Sequence, residues 1–197
     1  MTDNELLATS EGNRQKALSI IRRIGVTEAF TRAGGEAHIV GSVAMGLIMT
    51  HRDIDIHAYT TTLTAKGSFA VMADIAECPG ITRMECRNLI TTDEACMEWH
   101  AWYADENGHE WQLDIMHILK GSRYDGYFER MAEHIKTALT EETRLAILRL
   151  KAETPEGTHV AGIEYYQAVL RDSIRTWPDF AAWRKEHAAE GIIEWMP

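Results

Sequence analysis

Apolar residues recur in two different rhythms along this chain. Between residues 38 and 118 they alternate with polar ones or form short runs, the period of β-strands. After Gly121 they return every three or four positions, the period of helices. In detail, residues 12–33 read as helical with a break at Gly25. Ser10 suits the N-cap, Thr27 can open a second short helix, and Gly34 with Gly35 ends the region. The run 38–40 predicts a strand, 43–49 a short helix and 53–60 (DIDIHAYT) an alternating strand. Residues 65–77 predict a helix over the sheet, and 81–89, 95–104 and 110–118 three more strands. Asn107 and Gly108 between two β-rich arms predict a hairpin turn.

The second rhythm begins with Phe128, Met131, Ala132, Ile135 and Leu139 at helical spacing. Thr140 followed by Glu141 and Glu142 predicts a new helix start, because a hydroxyl cap and an acidic first turn suit the helix dipole. Ile163, Tyr166, Leu170 and Ile174 mark a further helix, with Tyr166 turned to the core and Tyr165 outward. Thr176 and Pro178 open a last helix, with Phe180 and Trp183 inward. A Pro- and Gly-containing linker is expected at 153–159. The fold class is therefore α/β (α+β): a mixed-sheet domain at 1–120, flanked by helices, then an all-helical segment at 121–197 with an acceptor-binding or packing role.

Composition narrows the partners. The chain has 197 residues, 45% hydrophobic and 25% charged, with a net charge of −10. So acidic a chain lacks the broad positive surface of non-specific nucleic-acid binding, and nucleic acid is not favoured as a partner. The basic runs Arg22 with Arg23, and Arg144 through Lys151, read as solvated helix faces. Most of the six tryptophans read as core or interface anchors. Cys78, Cys86 and Cys96 have no metal spacing, and their odd number suits a reducing compartment. The polar, acidic opening stretch is unlike a signal peptide, and no apolar run reaches membrane-spanning length. A cytoplasmic protein with no membrane partner is the expectation.

The chemistry concentrates in IVGSVAMGLIMTHRDIDIH. Gly41 lets the backbone pass close to a bulky anion, and the N–H groups and Ser42 hydroxyl that follow can donate to phosphate oxygens. Residues two apart on a strand share a face, so Asp53 and Asp55 project together. Adjacent carboxylates repel one another unless a cation lies between them. Hard oxygen ligands of this kind suit Mg²⁺. Asp114, a charge inside the apolar strand WQLDIM, supplies a third carboxylate from a neighbouring strand. Three such groups can hold two Mg²⁺ ions about 4 Å apart for in-line attack on phosphorus, with Mn²⁺ an alternative.

A hydrophobic-Gly-Ser turn, then ten residues, then Asp-hydrophobic-Asp-hydrophobic, then a later strand-borne Asp resembles the nucleotidyltransferase superfamily of DNA polymerase β. The resemblance covers residues 38–57 and 111–116 directly. It implies that Gly41 and Ser42 bind nucleotide phosphates and that Asp53 and Asp55 bind metal. It implies further that Asp114 joins the metal site and helps activate the attacking hydroxyl. The implied activity is Mg²⁺-dependent transfer of a nucleoside monophosphate from a triphosphate such as ATP to an acceptor hydroxyl. Acidity points to a small-molecule or protein acceptor rather than RNA. His57, on the face of the aspartate pair, and Lys120 and Arg123, just past the third strand, are further candidates for metal or phosphate contact. His51-Arg52-Asp53 spells a kinase tripeptide, but Ala58 stands where that pattern needs Asn. Two rivals remain: a metal-dependent sugar-nucleotide glycosyltransferase, and an inactive binding or antitoxin-like module on the same fold.

Overall fold

A computed structural model describes residues 1–187 and 191–197. Five strands form one sheet in the order β1-β2-β5-β4-β3. They are β1 (Glu36–Ile39), β2 (Asp53–Thr60), β3 (Ile81–Leu89), β4 (Cys96–Ala104) and β5 (Glu110–Leu119). β2 and β5 run parallel, while β1 with β2, β4 with β5 and β3 with β4 are antiparallel. The sheet is therefore mixed, as its sequence pattern implies. Its parallel centre is where two strands point the same ends at one cleft.

Alternation sorts the side chains into two faces. Ile54, Ile56 and Ala58 of β2, with Leu113 and Ile115 of β5, are buried in one apolar cluster. That cluster is closed by α1 (Asp3–Ile24), α2 (Val26–Arg32) and α4 (Ala65–Ala76). The in-between positions Asp53, Asp55, His57 and Asp114 therefore point to the opposite face. A second core joins α5 (Tyr127–Ala138), α6 (Glu141–Glu153), α7 (Gly162–Leu170) and α8 (Trp177–Glu186). Leu6 of α1, together with Met45, Leu47 and Met49, belongs to this second core. The segment between Gly41 and Met49 thus connects the sheet to the helices.

Several boundaries differ from the sequence expectation, each for a local reason. The first helix begins at Asp3, where Thr2 and Glu5 form a reciprocal capping box. Ser10 is not its cap; it is buried within the helix and donates to the Gly46 carbonyl at 3.2 Å. The helix after β1 is α3 (Gly41–Met45), shorter than 43–49, because Gly46 ends it at φ +66°. Gly46 is therefore a helix terminator. Tyr165, expected outward, is buried; its ring stacks on Phe180 at 4.8 Å and its hydroxyl meets Thr154 at 2.6 Å. Ile174 lies past the end of α7. The Thr140 cap, the Thr176 cap with Pro178, and the turn at Asn107 and Gly108 form where expected. Among the described residues no helix is long and apolar enough to cross a membrane.

Candidate active site

The cleft between the sheet and the second core has a volume of about 390 Å³. Its lining includes Gly41, Ser42, Asp53, Asp55, His57 and Asp114. The parallel register places Asp55 opposite Asp114 and Asp53 opposite Gln112. Two strands distant in sequence thus bring three carboxylates to one place.

The glycine turn is fitted to this cluster. Gly41 has φ +59°, and a Cβ there would lie 1.8 Å from Asp55 Oδ2. No side chain fits, so the position demands glycine both for its backbone angle and for contact with Asp55. The Val40 N–H donates to the Asp55 carbonyl at 3.0 Å, and the backbone at Ser42 favours the ionised Asp55 carboxyl. Turn and carboxylate form one unit.

Electrostatics mark the cluster as unsatisfied by the protein alone. Burial raises the Asp55 carboxyl to about 6, and repulsion from Asp114 and Asp53 adds to the rise. Asp53 is raised as well, by burial first and Asp114 second. Asp114 is held by partners of its own: Gln112 Nε2 donates to its Oδ1 at 2.7 Å, and His100 Nδ1 meets the same oxygen. Among the described residues no group of three or more His, Cys, Asp or Glu side chains is already gathered as a metal cage.

The opposite wall supplies the counter-charge. Lys151 of α6 is buried, and its ammonium donates to the Leu47 carbonyl at 2.9 Å. It lies 5.3 Å from the Tyr166 ring centre and 5.6 Å from that of Tyr165. Burial pushes its pKa down to about 8, against the pull of Asp55 and Asp53. The expectation of a solvated basic face over 144–151 fails here. Arg144 is also committed inward, donating to the Met45 and Gly46 carbonyls at 3.1 and 3.0 Å. Lys151 had a readable signal: it lies four residues after Ile147 and three after Leu148, both fully buried.

The remaining candidates divide. His57 lines the cleft, but it is buried against Phe128 with ring centres 4.9 Å apart. Burial lowers it to about 4, so it is neutral near pH 7, and its Nδ1 has no partner among the described residues. Lys120 and Arg123 do not line the cleft. Lys120 pairs with Glu36 at 2.7 Å and Arg123 pairs with Glu194, both at the surface.

Solved structures with a similar fold exist. The GLD-2–GLD-3 poly(A) polymerase complex matches with a TM-score of 0.59 at 10% identity, over 85% of this chain and 56% of that one. Cid1, described as having RNA terminal uridylyl transferase activity, matches with a TM-score of 0.54 at 14% identity, over 80% and 46%. Cid1 bound to the UTP analog UMPNPP matches with a TM-score of 0.55 at 12% identity, over 81% and 48%. The chain has the polymerase β-like nucleotidyltransferase fold. This nucleotidyltransferase fold spans only about half the length of those matched chains. No protein-family model matches the sequence, and no curated protein does.

Proposed function

We propose that the chain is a metal-dependent nucleotidyltransferase moving a nucleoside monophosphate from a triphosphate to an acceptor hydroxyl. One observation carries this reading: Asp55 opposes Asp114 across β2 and β5, directly beneath a glycine that no other residue can replace. The raised carboxyls of Asp53 and Asp55 fit a cation, because a positive charge beside them offsets their repulsion and the cost of ionising them in a buried place. Asp53, Asp55 and Asp114 would hold Mg²⁺ or Mn²⁺, completed by substrate phosphates rather than by a protein cage. Such ions supply positive charge to the triphosphate and to the charge developing at its α-phosphorus.

The protein's own groups supply the rest. The turn at Gly41 and Ser42 would seat the phosphates, with Lys151 reaching them from the helical wall. Asp114 would accept the proton of the acceptor hydroxyl. That oxygen attacks the α-phosphorus, the bond to the bridging oxygen breaks, and pyrophosphate leaves. Positioning and charge neutralisation account for most of the rate. Residues 1–120 would carry this chemistry, and 121–197 would complete the cleft and present the acceptor.

The carboxylate face continues past Asp114 into a second cavity of about 500 Å³, floored by Met116, Ile118 and Cys96. We assign the acceptor to this side. The net charge of −10 favours a small-molecule or protein hydroxyl. Cid1 acts on RNA by its description, so an RNA 3′ end is the necessary counter-case. The test supplies each of the four triphosphates with Mg²⁺ and measures pyrophosphate release with an RNA oligonucleotide, hydroxyl-bearing small molecules or protein. Release with at least one triphosphate supports the reading, and the stimulating acceptor names the class. Binding of Mg²⁺–triphosphate without release under any acceptor favours the inactive-module rival. Preference for sugar nucleotides would restore the glycosyltransferase rival, which this fold disfavours.

A further inference from the structure

A line of alternating charge crosses the sheet on the carboxylate face. Register places Arg87 of β3 opposite Glu98 of β4, and His100 of β4 opposite Asp114 of β5. Asp114 in turn lies opposite Asp55. Residues 98 and 100 are two apart on one strand, so all of these side chains share one face. The contacts follow the register. Arg87 donates to Glu98 Oε2 at 3.0 Å, Glu98 Oε1 meets His100 Nε2 at 2.9 Å, and His100 Nδ1 meets Asp114 Oδ1 at 2.5 Å. Gln112 Nε2 donates to that same Asp114 oxygen at 2.7 Å.

We infer that His100 is a positioning residue that clamps Asp114 Oδ1, leaving its other carboxylate oxygen for the cleft. The inference rests on the proposed role of Asp114 and adds to it a reason for one orientation. A carboxylate on a strand can rotate about its side-chain bonds. Two donors on one oxygen remove that freedom, and a donor fixed by a second carboxylate is itself immobile. Glu98 holds the imidazole through its far nitrogen, and Arg87 holds Glu98. His100 does not line the cleft, whereas Asp114 does, so its influence on reaction passes through Asp114.

The geometry separates possible replacements. The amide of Asn at position 100 can stand in for Nδ1 and reach Asp114, whereas that of Gln stands nearer Nε2, toward Glu98. The experiment compares the wild type with His100→Ala, His100→Asn and His100→Gln, by steady-state kinetics and by crystal structures of the nucleotide-free proteins. His100→Ala is expected to lower kcat by about 10- to 100-fold with KM for the triphosphate within threefold. In its structure Asp114 takes a second orientation. His100→Asn restores the single orientation and most of kcat, while His100→Gln does not. An alanine variant with Asp114 in its wild-type orientation, or with kcat within twofold, overturns the clamp. Should the alanine variant fail to fold, the Asn and Gln pair decides, and equal behaviour of the two overturns it. A wild type that turns over no triphosphate counts against nucleotidyl transfer itself, and the crystal structures then judge the clamp alone.

Discussion

The two walls of the cleft were built by different rules. The sheet wall carries Asp53, Asp55 and Asp114 at positions dictated by strand alternation and by one parallel register. The helical wall carries Lys151 and Tyr166, whose inward direction depends on which neighbours α6 and α7 meet. The walls are also opposite in charge. Burial and repulsion hold Asp53 and Asp55 back from ionising, while burial alone holds Lys151 back from protonation. Each wall is poorly satisfied without a ligand that brings both a cation and an anion. A metal-bound triphosphate is such a ligand.

Substitutions on the sheet wall break this comparison most severely. Asp53→Asn and Asp55→Asn should each lower Mg²⁺-dependent turnover by about 10³-fold or more, with the melting temperature kept or raised. Pyrophosphate release and a melting curve on each variant check this, and full turnover in both would refute the metal assignment. On the helical wall, Lys151→Met should raise the triphosphate KM by roughly 10- to 100-fold, the worth of one charge-assisted contact. Its melting temperature should change little, since the desolvation cost of the buried ammonium is lost together with its contact to the Leu47 carbonyl and its attraction to Asp53 and Asp55.

How far these walls could be foreseen differs in the same way. The period of DIDIH alone places Asp53, Asp55 and His57 together, and the strands 53–60 and 81–89 form with the expected limits. Which strand lies beside β2 is not written in any local pattern. The β5 neighbour comes from long-range pairing, which nonetheless brings Asp114 to Asp55. Lys151 sits among charged residues that look solvated, and only its spacing from Ile147 and Leu148 turns it inward. Tyr165 was missed for a related reason, since α7 is covered on two sides, by α6 and α8. His100 gave no signal, because its value lies in the residue opposite it on another strand.

A smaller effect sharpens the electrostatic contrast. The Asp55 carboxyl stands at about 6 against an ordinary 3.8, so between these values the folded protein holds a proton that the unfolded chain has released. Stability from this group therefore falls as pH rises through that window, and the cost is complete above it. Asp55→Asn should raise the melting temperature of the nucleotide-free protein by roughly 5 °C near neutral pH, with the gain shrinking toward pH 4. A gain independent of pH would mean that the charge at Asp55 is not the cause. Smallest is the cap of α6: Thr140→Ala removes the acceptor of the Thr143 N–H and should cost about 1 kcal/mol. Turnover should be unchanged if α6 keeps Lys151 in place.

Calorimetric titration of a non-hydrolysable triphosphate, with and without Mg²⁺, onto the wild type and onto the Asp53→Asn, Asp55→Asn double variant tests the central claim most directly. Binding by the wild type should depend on Mg²⁺ and should vanish in the double variant. Equal binding by the two proteins, or wild-type binding indifferent to Mg²⁺, would contradict it.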